Sequence, residues 1–150
     1  MLDILREVGK IARSLSYISN NEFKEVSLDK EQYLYITRIY ENPGIINDDL
    51  AEMLCLDRTT VSKSIRKLEK RELIFKTQDA KNKKIKRLFL TESAKELYHY
   101  LKKEEEYSER MLLQGFTAEE KATLLSLLKR VGTQAESEWL LVRSGERRKY

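Results

Sequence analysis

Between Arg58 and Arg87 the chain places twelve Lys or Arg residues against three acids, a net charge of +9 in thirty residues. The whole chain carries +4, so everything outside this block sums to −5. Arg58, Lys63, Arg66 and Lys67 are interleaved with Thr59, Thr60 and Ser62, and Lys81, Lys83 and Lys84 crowd the run DAKNKK, Asp79 to Lys84. Long cations neutralise phosphates or reach the acceptors of guanine, and small hydroxyl side chains let a backbone come close to a duplex. Charge alone fits a solvated lysine-rich face as well. The helical pattern inside the block favours double-stranded DNA as partner.

Nothing comparable exists for covalent or metal chemistry. The chain has one histidine, His99, and one cysteine, Cys55, and it lacks HExxH and a glycine-rich phosphate loop. No cofactor or metal is expected, and the chain does not read as an enzyme. Asp48 and Asp49 are better explained by a helix start, where the dipole favours acids. Cys55 would sense oxidants only with an exposed thiol of lowered pKa; the plainer expectation is a small apolar filler in a turn.

At 150 residues and 41% hydrophobic content, the chain can support one ordinary domain with an oligomerisation arm. Five Gly and one Pro leave little punctuation, which favours long helices over many-stranded sheets. No apolar run approaches the roughly 20 residues that cross a bilayer. MLDILREVGK does not read as a signal peptide, and a single cysteine suits a reducing compartment, so a cytoplasmic location and no membrane partner are expected.

The elements that must position the cations follow from spacing. Asn47 is expected to cap a short helix with Leu50, Ala51 and Leu54 inward, and Cys55 and Leu56 make a turn. Asp57 then caps a second helix, Arg58 to Arg71, whose Val61, Ile65 and Leu68 share one side. That leaves Thr59, Thr60, Ser62, Lys63, Arg66 and Lys67 outside, the division a helix entering a major groove requires. Leu73–Gln78 and Ile85–Leu90 read as strands, with Leu73, Phe75, Ile85, Leu88 and Leu90 inward and the cationic run as the hairpin tip. Before them, Asp29 reads as the cap of a helix to about Glu41, with Gln32 in its first turn, Leu28 and Tyr33 as a staple, and Tyr33, Ile36 and Tyr40 in one stripe.

Further segments surround this lobe. Apolar residues from Ile4 to Ile18 recur at helical steps, and their face must pack on something distant in sequence, such as another subunit. Asn20–Ser27 reads as a polar connection. Thr91 caps a long helix stopped by Gly115, and Thr117 with Glu120 forms a capping box for the last helix. Its Leu124, Leu128, Val131, Ala135, Trp139 and Val142 make a short heptad-like seam that favours pairing of subunits, while Arg143 to Lys149 reads as a basic tail.

The motifs GIINDDLAEMLCLDRTTVSKSIRKLEKRELI (Gly44–Ile74), QDAKNKK (Gln78–Lys84) and LTESAKEL (Leu90–Leu97), in this order, resemble the MarR family of bacterial transcriptional regulators, over nearly the whole chain. The resemblance implies a mainly α fold with a small β-hairpin wing: a winged helix-turn-helix over 29–91, with 1–26 and 92–150 as dimerisation helices. It further implies a homodimeric repressor on a palindromic operator, with Thr59, Thr60, Ser62, Lys63 and Arg66 facing the groove. Release by a small phenolic or lipophilic effector is implied too, in a crevice lined by Arg13, Tyr17, Tyr33, Tyr40 and Tyr98. Lys84 stands where the family usually has a wing-tip arginine, and Asn82 where it has the aspartate that orients it. Lysine lacks the planar fork and Asn82 cannot form an ion pair, so a looser wing is expected. Glu72 stands where a glycine often ends the recognition helix. A winged-helix module that binds proteins rather than selecting DNA sequence is the alternative.

Overall fold

The computed structural model describes residues 2–28 and 31–150. Among these residues the order is α1 (Asp3–Glu22), α2 (Tyr33–Glu41), α3 (Asn47–Leu54), α4 (Arg58–Lys70), β1 (Ile74–Gln78), β2 (Lys86–Leu90), α5 (Glu92–Leu112) and α6 (Ala118–Arg143). The fold is mainly helical with one antiparallel hairpin, in the expected sequence of elements.

One core lies under α2, α3, α4 and the hairpin. Val61, Ile65 and Leu68 of α4 meet Leu50 and Ala51 of α3, Ile36 and Ile39 of α2, and Leu88 of β2, all fully buried. The start of α5 joins through Ala94, Tyr98 and Leu101. Burial of each large side chain contributes roughly 1.5–3 kcal/mol, enough to fix the helix faces against weak local preferences.

Several local expectations are corrected. Asn47 is the first residue of α3, not its cap; Ile46 holds the cap position, and the Asn47 side chain instead donates to Ser62 Oγ at 3.5 Å. The Asp29 cap lies outside the described residues, and α2 begins only at Tyr33, with Gln32 at its cap position and no side-chain bond there. The segment after α1 is not simply polar: Phe23 is fully buried, its ring 5.1 Å from that of Tyr33. In β1 the buried residue is Ile74, paired with Leu90, whereas Phe75 points out and stacks on Phe89 at 5.6 Å. Leu73, Ile74 and Phe75 are consecutive apolar residues, so the pleat alone leaves their facing undecided.

Two backbone positions hold the module together. Glu72 adopts φ +57, the left-handed region that favours glycine, at a cost of about 1 kcal/mol. Its carbonyl accepts from Thr91 Oγ1 at 2.8 Å, and the same hydroxyl accepts from Ala94 N to cap α5. The end of α4, the end of the hairpin and the start of α5 therefore meet at one side chain. Gly44 adopts φ +86, and a Cβ there would meet the Phe89 ring at 3.4 Å. It donates to Leu88 O while Leu88 donates to Ile45 O, so β2 is tied on its other edge to the loop after α2.

The capping box of Thr117 and Glu120 forms as expected. Among the described residues the apolar faces of α1 and α6 are left largely uncovered. Ile4, Leu5, Val8, Ile11 and Ile18 are exposed, and so are Leu128, Val131 and Val142. No helix among the described residues is long and apolar enough to cross a membrane.

Candidate nucleic-acid interface

Asp57 starts α4 by accepting from Thr60 N at 2.9 Å, and Thr60 Oγ1 donates to its other carboxylate oxygen. The Thr60 hydroxyl, then its amide, hold the Asp57 carboxyl below the usual carboxylate range. With Val61, Ile65 and Leu68 buried, the helix turns Arg58, Thr59, Thr60, Lys63, Arg66 and Lys67 to solvent. Ser62 is only half exposed. Arg58 Nε lies 3.0 Å from Asp48 Oδ1, and Arg66 Nε donates to Ser62 O at 3.3 Å. Lys63 and Lys67 have no ion-pair partner among the described residues. An outward stripe of cations and hydroxyls on a rigid helix can enter a major groove and bond to phosphates or base edges.

The hairpin carries Lys81, Lys83 and Lys84, all exposed, at its tip. The tip is hydrogen-bonded within itself. Asp79 Oδ2 accepts from Lys81 N and Asn82 N, at 3.1 and 2.9 Å, and Asn82 Oδ1 accepts from Lys84 N at 3.0 Å. Asp79 Oδ1 accepts from Arg87 Nε at 2.7 Å, and Arg87 Nη1 donates to Gly44 O at 3.0 Å. Asn82 thus orders the backbone without an ion pair, and the missing pair reappears one level down, between Asp79 and Arg87. Sequence reasoning counted both residues only as charge. Asp79 is the first residue after β1 and Arg87 the second residue of β2, so the two meet only once the strands are in register.

The five residues expected around an effector are not gathered into one cavity. Tyr40 stacks on Tyr98 at 3.7 Å, beside His99. Tyr33 packs on Phe23 inside the core. Tyr17 is 73% exposed, and Arg13 reaches back along α1 towards Gly9. A cleft of about 420 Å³ does open between α1 and α5, but it is lined by Leu15, Ile18, Glu104, Tyr107, Met111 and other neighbours. Cys55 is not a buried filler; it is exposed, in the left-handed conformation at the end of α3. Partial burial, with a smaller push from Glu136, raises its thiol pKa, the opposite of what a reactive thiolate needs.

A buried-face helix pair, an outward cationic second helix and a cationic hairpin together define a winged helix-turn-helix protein. A sequence model of the MarR family matches residues 28–86. The chain is 53% identical over 150 residues to the uncharacterized HTH-type transcriptional regulator YybA of Bacillus subtilis (strain 168), covering 100% of both. It is also similar to a putative MarR family transcriptional regulator from Listeria monocytogenes solved in complex with 26mer DNA, at TM-score 0.97 and 48% identity, covering 100% of both chains. The transcriptional regulator SlyA matches at TM-score 0.89 and 45% identity, over 93% of this chain and 99% of that one. The chain belongs to the MarR family, and is a transcriptional regulator rather than an enzyme.

Proposed function

We propose that this regulator binds double-stranded DNA sequence-specifically as a homodimeric repressor of a palindromic operator. The observation that carries the reading is the two-sidedness of α4: Val61, Ile65 and Leu68 are fully buried, while Lys63, Arg66 and Lys67 face solvent, as do the wing lysines. The relative solved on 26mer DNA supports the same partner here. Thr59, Thr60, Lys63 and Arg66 read the major groove, and Lys81, Lys83 and Lys84 lie along the adjacent minor groove. Residues 29–91 form the DNA-binding lobe.

The homodimer is supported by the exposed apolar faces of α1 and α6, which offer pairing surfaces within the expected dimerisation segments. Two copies present two recognition helices, which must stand about 34 Å apart to reach successive major grooves. Release by a small lipophilic effector is best supported at the apolar cleft between α1 and α5. Selection of bound duplexes from a random pool tests the reading. Two inverted half-sites spaced by about one helical turn are expected. A pool with no enriched sequence would leave the protein-binding alternative instead.

A further inference from the structure

We propose that Arg143 of α6 and Glu52 of α3 form a latch that positions the recognition helix against the C-terminal helix, and so sets sequence discrimination. The inference rests on the DNA-binding reading above. Arg143 is the last residue of α6, and far from trailing as a basic tail it is drawn in against the DNA-binding lobe. Its Nη1 lies 3.6 Å from Glu52 Oε1, an ion pair too long to be a hydrogen bond, and that nitrogen is shut off from solvent without a hydrogen-bond acceptor. The guanidinium also sits 5.0 Å over the ring of Trp139, one turn back on α6.

The latch touches the turn that launches α4. Glu52 O accepts from Cys55 N at 3.1 Å, at the start of the bend between α3 and α4. A cleft of about 500 Å³ separates the end of α6, through Leu140, Arg143 and Ser144, from Asp57, Arg58 and Thr59. Those three residues are the cap and the first turn of the recognition helix. Within the lobe α4 packs on α3 and β1. The Arg143–Glu52 pair holds the end of α3 from the side of α6, across the cleft from the first turn of α4. The pair is long and its Glu52 end is 47% exposed, so it contributes little to global stability and its signature is in position rather than in melting.

The test compares Glu52→Arg, Arg143→Glu and the double exchange. The probes are a duplex selected by the parent protein and a mixed-sequence duplex of equal length. Simple electrostatics predicts opposite effects, with Glu52→Arg tightening both probes and Arg143→Glu weakening both. A latch predicts that each single variant lowers the specific-to-non-specific affinity ratio at least fivefold, and that the exchange restores it to within twofold. Amide exchange across 51–60, measured without DNA, should quicken at least threefold in the single variants and recover in the exchange, with melting temperatures near the parent's. Parent-like ratios and parent-like exchange in the single variants, or defects that the exchange does not repair, would overturn the latch. A parent that selects no duplex would defeat the DNA-binding reading, and the exchange rates alone would then decide the latch.

Discussion

Arg87 and Asp79 are joined across the base of the wing, with Arg87 Nε donating to Asp79 Oδ1 at 2.7 Å while the other end of the guanidinium holds Gly44 O at 3.0 Å. The hairpin is thereby anchored to the loop between α2 and α3, and the tip lysines project from a fixed base.

Arg87→Ala is therefore expected to weaken binding to all duplexes several-fold and to speed amide exchange in 79–84. The melting temperature should stay near the parent's, because exposed ion pairs stabilise little. Unchanged exchange at the wing tip would show that the anchor does not order it. The pH dependence has a definite sign. The Arg87 hydrogen bond, then the Asn82 and Lys81 amides, hold the Asp79 carboxyl below the usual range. A depressed carboxyl contributes fully above its unfolded pKa and loses its contribution only as pH falls through the folded one. Wing order should thus be flat from pH 7 to about 4 and fall below that. An Asp79 carboxyl titrating at or above the ordinary value of about 3.9 would contradict the arrangement.

Lys63→Ala and Arg66→Ala should each lower affinity for the selected duplex more than for mixed sequence, by about 1–3 kcal/mol where the side chain reaches a base edge. Lys84→Ala should weaken binding evenly and reduce the salt slope by about one. Mobility-shift titrations at several salt concentrations distinguish the two patterns. Parent-like binding by all three variants would refute the interface.

Phe23→Ala should destabilise the fold by about 3–5 kcal/mol, as expected for emptying a fully buried aromatic site. Denaturant unfolding measures this directly. A loss below about 1 kcal/mol would mean that the segment after α1 is not part of the core.

Leu128→Glu combined with Val131→Glu places two charges on the exposed apolar face of α6. Sedimentation at micromolar concentration should change from two subunits to one, while helix content is retained. A parent that sediments as one subunit would sink the proposed pairing.

Much of the lobe was legible because its signals are local. The steps of four and three at Val61, Ile65 and Leu68 define one face of a helix whatever surrounds it, and Asp57, Thr91 and Thr117 announce helix starts by chemistry confined to one turn. Phe23 escaped because it stands alone in a polar stretch, with no period to mark it. The inward turn of Ile74 rather than Phe75 depends on pairing with Leu90, which no run of three apolar residues reveals.

The amino-acid order by itself determined which helices form, which faces are apolar, and where positive charge is concentrated, because these depend on neighbours within one or two turns. Tertiary structure alone decided that Asp79 meets Arg87 across the hairpin, that Thr91 holds Glu72, and that Arg143 reaches Glu52. The first of these contacts depends on strand register, the second on the path of the chain between α4 and α5, and the third on where α6 ends relative to α3. None of these is set by neighbours within one or two turns.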